Sequence, residues 1–155
     1  MLGEGLKNER GFVPTEAKVA FVEALADAGL PSVETTAFVS PRAIPQLADS
    51  AEVFARVRKR PGTRYPVLVP NEKGMARALA AGAREIALFT AATDTFNLRN
   101  TNATVEQSFA RFAPVVGLAR AEGSRVRDYV STVFGCPFER RVDLAKAASF
   151  DLRLF

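Results

Sequence analysis

The chain alternates short apolar runs, rich in Val, Ile, Thr, Tyr and Phe, with longer segments of helical period. This alternation predicts βαβ units and a mainly parallel sheet. Thr15 opens a predicted helix with Ala17, Ala20, Phe21, Ala24, Leu25 and Ala28 on one face, ending at Gly29. SVETT (Ser32 to Thr36) reads as a strand. A second helix is predicted from about Gln46 to Arg60, burying Leu47, Ala51, Phe54 and Val57. YPVLV (Tyr65 to Val69) is the next strand, and Asn71 caps a helix carrying Met75, Ala78 and Leu79, closed by Gly82. REIALFTAA (Arg84 to Ala92) contains a strand, and TDTFNLRNTN after it reads as a polar loop. Thr104 and Gln107 form a capping box before a helix with Phe109, Phe112 and Val116 inward, and Pro114 is expected to kink it. RVRDYVSTV (Arg125 to Val133) is the last clear strand, with a further helix start near Asp143.

Two parallel architectures satisfy this order: an open doubly wound sheet and a section of a (β/α)8 barrel. Strand patterning favours the barrel. Glu34 and Thr36 would share one strand face, as would Arg127, Tyr129 and Ser131. Polar groups on one face of a buried parallel strand need partners or a ligand, and a barrel offers them its interior. At 155 residues the chain supplies about four to five βα units of such a barrel.

Composition excludes several chemistries. The chain has no histidine, which removes His-based triads and His-ligated metals within it and leaves oxygen donors or Cys136. No GxGxxG or Walker motif follows a strand. The one cysteine has no internal disulfide partner. No apolar run reaches membrane-spanning length, and MLGEGLKNER lacks a signal-peptide core, so the expected location is cytoplasmic without membrane contact. Net charge is +4, with the densest basic run at RVRKRPGTR (Arg56 to Arg64). That run suits a helix C-terminus better than an anion patch. It has no interleaved aromatic platform for bases, and no nucleic-acid partner is expected. Near the start, GEGLKNER leaves open a phosphate loop, a plain turn or an altered metal corner.

Longer stretches now bear on that choice. They include GLKNE (Gly5 to Glu9), VETTAFVSPRAIPQLAD (Val33 to Asp49) and YPVLVPNEKG (Tyr65 to Gly74). ALAAGAREIALFTAATDTF (Ala78 to Phe96), NTNATVEQSFARF (Asn100 to Phe112) and VRDYVSTVFGCPFE (Val126 to Glu139) continue the series. Together they resemble the hydroxymethylglutaryl-CoA lyase family, of pyruvate-carboxyltransferase-like barrel fold. The resemblance implies a single incomplete barrel domain over residues 1–155, with a divergent tail at 148–155.

The resemblance also implies an activity: cleavage of hydroxymethylglutaryl-CoA to acetyl-CoA and acetoacetate, in leucine degradation and ketone-body formation. A divalent cation, Mg²⁺ or Mn²⁺, is the implied cofactor, and an acyl-CoA the implied partner. By the same resemblance Glu4 stands at a metal ligand, and Glu34, Arg127 and Tyr129 at catalytic positions. Lys7 and Thr93 stand at substrate-binding positions. Gly3 stands where the family has an arginine, and Cys136 matches a non-catalytic Gly-Cys-Pro stretch.

The family's metal-binding histidines have no counterpart, so the chain is expected to be impaired or inactive as a lyase. Departure from the family at SFDLRLF suggests a shifted or truncated reading frame. Two alternatives remain: a non-catalytic remnant acting through chain–chain association, with a homo-oligomer as one form, and a related metal-dependent aldolase or acyl-transfer barrel. Gly3→Arg combined with Glu4→Asp is expected to leave acetoacetate release by this chain undetectable in a coupled assay. Turnover by that double variant would show that no further ligands are needed.

Overall fold

The computed structural model describes Gly5 and residues 11–142. Glu4, Lys7 and the helix start expected near Asp143 lie outside the described residues. The regular elements are α1 (Thr15–Asp27), β1 (Thr36–Ala37), a 3-10 turn (Pro45–Leu47), α2 (Ser50–Arg56) and β2 (Val67–Leu68). They continue with α3 (Glu72–Ala80), β3 (Glu85–Ala91), α4 (Asp94–Thr101), α5 (Val105–Ala121) and β4 (Arg125–Ser131). The strands form one parallel sheet in the order β1-β2-β3-β4.

Strand register divides the side chains between two faces. Thr36, Val67, Ile86 and Val126 align on one face, and Ala37, Leu68, Ala87 and Arg127 on the other. Val67, Ile86 and Val126 join the main core, to which α1 gives Val22 and Ala26, α2 Val53 and Phe54, and α3 Met75 and Ala78. Phe109, Phe112, Val115, Val116 and Ala119 of α5 complete it. On the opposite, concave face lies a smaller cluster of Ala37 and Leu47, flanked by Val13, Val39, Ile44 and Leu68. Helices on one face and a concave inner face fit a section of an α/β barrel.

Several local expectations hold and have physical causes. Asn71 caps α3 by accepting a hydrogen bond from Gly74 N at 3.0 Å. Gly74 is required there, since a Cβ would come within 2.6 Å of Phe38 O. The capping box at Thr104 and Gln107 is formed in both directions. The basic run ends α2 and binds it to α1. Arg56 pairs with Glu16 and Glu52, Arg58 with Glu23 and Asp27, and Arg60 donates to Ala26 O and Asp27 O.

Other expectations are corrected. Helix α1 buries Lys18, Val22 and Ala26, while Phe21 is 50% exposed. Thr15 is its first residue rather than its cap, and its hydroxyl donates to Asp49 Oδ2 at 2.8 Å. The predicted second helix is shorter, split into the 3-10 turn and α2, with Ala51 exposed and Val53 buried. The supposed loop at Thr93 to Asn102 is mostly α4. Helix α5 runs unbroken through Pro114, which is exposed. Asp128, on the helix-facing side of β4, is half-buried and partnered.

The burial of Lys18 explains the orientation of α1. Its ammonium, 1% exposed, meets Asp49 Oδ1 at 2.7 Å and Oδ2 at 2.8 Å, donates to Gln46 O at 2.6 Å and lies 4.4 Å from the Phe12 ring centroid. A polar residue thus holds the helix by a fully engaged charge. Asp49→Ala is expected to destabilise the chain by about 3–5 kcal/mol in urea unfolding, because a buried ammonium loses its counter-charge. Lys18→Met with Asp49→Leu, which removes both charges, is expected to recover most of that loss.

Candidate functional site

Glu34 reaches the concave face through a break in the β1 ladder. Thr35 N donates to Pro66 O at 3.0 Å, and Phe38 N, three residues later, donates to Leu68 O at 2.8 Å. A regular parallel ladder would use residues two apart, so Thr35 and Thr36 together oppose Val67 as a β-bulge. Beyond the bulge Ala37 takes the concave face, and so does Glu34 before it; Thr36 is paired with Val67 on the helix side. Glu34 and Thr36 therefore do not share a face, contrary to the alternation expected of SVETT. A bulge leaves no composition signal, although the Thr-Thr pair marks where it falls.

Glu34 is 8% exposed and lines a cavity of about 440 Å³ at the C-terminal ends of β1, β2 and β3. Ala37, Leu68 and Phe89 line its sheet side, and Ile44 and Leu47 the loop after β1. Pro70 and Asn71 close a third side, and Arg99, Asn100, Thr101, Asn102 and Arg111 the far wall. Arg99 and Arg111 make that far wall cationic, and Glu34 is the single carboxylate among the described residues of the lining.

That wall depends on α4, which sequence reasoning missed. Its hydrogen bonds are tertiary. Asp94 Oδ1 accepts from Val105 N at 2.7 Å, while Asn97 Nδ2 donates to Ala103 O at 3.0 Å and to Ser108 Oγ at 2.7 Å. Asn102 ends the helix in the left-handed region, a role that suits asparagine. Arg111 of α5 donates to Thr101 O and Asn102 O, at 3.4 and 3.3 Å.

Arg127 and Tyr129 share the concave face of β4, as expected, with the guanidinium 5.8 Å from the Tyr129 ring centroid. Both are half-buried, two strands away from β2, and neither lines the cavity beside Glu34. Thr93 is buried at the start of α4, outside the cavity lining, and its hydroxyl donates to Cys136 Sγ at 3.2 Å.

Cys136 belongs to a loop that folds back onto α4. Cys136 and Arg140 exchange both backbone hydrogen bonds, and Thr95 N donates to Glu139 Oε1 at 3.2 Å. The Phe138 ring lies 6.2 Å from that of Phe96 and 4.1 Å from the Arg99 guanidinium. Burial pushes the Cys136 thiol up. Hydrogen bonds from Thr93 and from the backbone N–H groups of Phe138 and Glu139 outweigh it, and the thiol sits below its ordinary value despite the nearby Glu139 carboxylate. The sequence showed no cationic partner for this thiol; neutral donors brought by the loop take that part.

Helices on one face of a parallel sheet, with a polar-walled cavity at the strand C-termini, define an enzyme-type (β/α) barrel section. The HMGL-like family model matches residues 1–151, and the chain belongs to that family. It is 47% identical to the mitochondrial hydroxymethylglutaryl-CoA lyase of Bos taurus over 152 residues, covering 98% of this chain and 47% of the relative. It is 45% identical to the cytoplasmic 3-hydroxy-3-methylglutaryl-CoA lyase of Rattus norvegicus, with 98% and 44% covered. The crystal structure of the lyase from Pseudomonas aeruginosa superposes with a TM-score of 0.91 at 43% identity, over 98% of this chain and 51% of that one. A lyase from Acenitobacter baumannii, in complex with coenzyme A and 3-methylmalate, gives 0.90 at 36% identity, over 97% and 49%. The chain spans about half the length of the curated relatives it matches. The relatives include both mitochondrial and cytoplasmic forms, and no helix among the described residues is long and apolar enough to cross a membrane.

Thr93→Ala is expected to raise the Cys136 pKa by removing a donor to the thiolate. In a pH titration of ultraviolet thiolate absorbance, the midpoint should move to higher pH than in the unsubstituted chain. An unchanged midpoint would mean that the loop amides alone hold the thiolate.

Proposed function

We propose that this chain builds one half of a lyase site for hydroxymethylglutaryl-CoA, the reaction that yields acetyl-CoA and acetoacetate. The observation that carries the reading is the placement of Glu34, Arg127 and Tyr129 on one concave face, in a chain of the HMGL-like family. Breaking the substrate's carbon–carbon bond leaves negative charge on a thioester enolate. Arg127, held beside the Tyr129 ring, offers a fixed cation to that charge. Glu34 offers a carboxylate toward the tertiary hydroxyl, in a site where a general base must reach that proton. The cationic far wall suits the phosphates of an acyl-CoA, and the solved Acenitobacter relative is in complex with coenzyme A and 3-methylmalate.

The family's divalent cation would polarise the substrate oxygens. Among the described residues, no group of three or more His, Cys, Asp or Glu could hold a metal, and Glu34 is alone in the cavity lining. The described residues therefore do not fit a metal centre by themselves. Glu4 as a metal ligand, Lys7 and Thr93 as substrate contacts, a cytoplasmic place, a part in leucine degradation and self-association all belong to the same proposal. A non-catalytic remnant is the second reading, favoured by the lack of a metal-holding group among the described residues.

The purified chain is expected to bind hydroxymethylglutaryl-CoA saturably in calorimetry, yet to release no acetoacetate at saturating Mg²⁺ or Mn²⁺. Glu34→Gln and Arg127→Gln should each weaken binding by roughly tenfold or more, the effect of losing one charge-assisted hydrogen bond. Absence of saturable binding would leave the remnant reading.

A further inference from the structure

One pattern recurs that the lyase reading does not use. Gly62-Thr63-Arg64, Gly82-Ala83-Arg84 and Gly123-Ser124-Arg125 each stand just before or at the start of a strand: β2, β3 and β4. All three glycines have positive φ, at +85°, +85° and +63°, a conformation that L side chains rarely adopt. The arginines therefore emerge from equivalent turns on neighbouring strands. Arg125 N donates to Arg84 O at 2.9 Å, which places their backbones side by side at the N-terminal edge of the sheet.

Their partners differ. The basic residues from Arg56 to Arg60 are engaged by carboxylates or by helix-end carbonyls. Arg64 pairs with Glu85 at 3.3 Å. Among the described residues, Arg84 and Arg125 meet no carboxylate; Arg84 donates only to Ala83 O, at 3.0 Å. These two line an open pocket of about 350 Å³, with Tyr65, Gly82 and Gly123 beside them. Among the described residues Glu85 is the pocket's one carboxylate, and it is paired with Arg64. The Tyr65 hydroxyl accepts from Arg60 N at 2.8 Å, which fixes that wall.

We propose that this pocket, on the opposite edge of the sheet from the lyase cavity, is a binding site for a multivalent phosphate anion. Two planar guanidiniums with free donors on adjacent strands match phosphate oxygens. The two guanidiniums must outweigh an opposing field. The C-terminal ends of α3 and α5 abut the pocket through Gly82 and Gly123, and their carbonyl dipoles oppose a bound anion. A chain of phosphates offers oxygens to both guanidiniums at once, which a single small anion does less well. The two glycines leave the pocket floor without side chains, so an extended anion can approach the backbone.

Inorganic tripolyphosphate titrated into the full chain tests the site by calorimetry at fixed ionic strength. Saturable binding is expected, with chloride and acetate giving none. The Arg84→Gln/Arg125→Gln double variant should bind at least about tenfold more weakly while keeping its melting temperature without ligand. Arg42→Gln, an exposed arginine in the loop after β1, should bind as the unsubstituted chain does. Arg125→Lys should lose less than Arg125→Gln, because the charge stays. No saturable binding at about millimolar tripolyphosphate, an equal loss in Arg42→Gln, or full binding by the double variant would each overturn the proposal. Hydroxymethylglutaryl-CoA binding is read separately, so failure here leaves the lyase reading standing.

Discussion

The parity of the parallel ladder governs the rest of this structure. Once Thr36, Val67, Ile86 and Val126 face the helices, Ala37, Leu68, Ala87 and Arg127 must face the other way. A slip of one residue would exchange the two sets. The helix-facing set packs into the main core through Val67, Ile86, Leu88, Val126 and Val130, with Thr36, Thr90 and Asp128 as its polar members. The concave set changes from Ala and Leu on the first strands to Arg, Tyr and Ser on β4. The candidate site and the core thus draw on alternate residues of the same short segments. At the bulge, one extra residue returns Glu34 to the functional face while Val33 and Phe38 stay in the core.

Much of the scaffold was legible because it rests on local chemistry. Thr104 with Gln107 and Asn71 before Glu72 satisfy helix-end donors through side chains only three residues away, so their spacing is visible in the sequence. The apolar run over Glu85–Ala91 is bounded by turn signals and forms the central strand. What was not legible depends on distant partners. Asp94 and Asn97 look like loop residues, yet α4 forms because Val105, Ala103 and Ser108 receive their hydrogen bonds. Lys18 marks a polar face by its type and is buried because Asp49, 31 residues away, meets it. The wrong face of α1 was chosen for that reason: four alanines, Phe21 and Leu25 outweighed a stripe containing one lysine.

The candidate site was legible in the same uneven way. Arg127 and Tyr129 follow simple alternation on a regular strand, and the structure leaves them together on the concave face. Glu34 was singled out correctly as facing inward, but through a mistaken pairing with Thr36. The loop at Cys136 carried a stronger signal than its match to a non-catalytic Gly-Cys-Pro stretch. Its Gly-Cys-Pro-Phe-Glu order supplies a backbone turn, an apolar ring for Phe96 and a carboxylate for the first turn of α4. These contacts join β4 to α4, and α4 carries the cationic wall of the cavity.

That connection constrains how Arg127 can act. Glu34 and the cavity belong to β1, β2 and β3 with α4, whereas Arg127 belongs to β4. The two groups are related by the continuous ladder from Glu85↔Arg125 to Ala91↔Ser131, and by the returning loop at Cys136. A substrate spanning both must lie along the concave face across β2 and β3, over Leu68, Ala87 and Phe89. Ala87, directly in register with Arg127 and Leu68, is the small residue on that path. A large side chain there would stand between the carboxylate of Glu34 and the guanidinium of Arg127, and the small side chain of Ala87 leaves that path open.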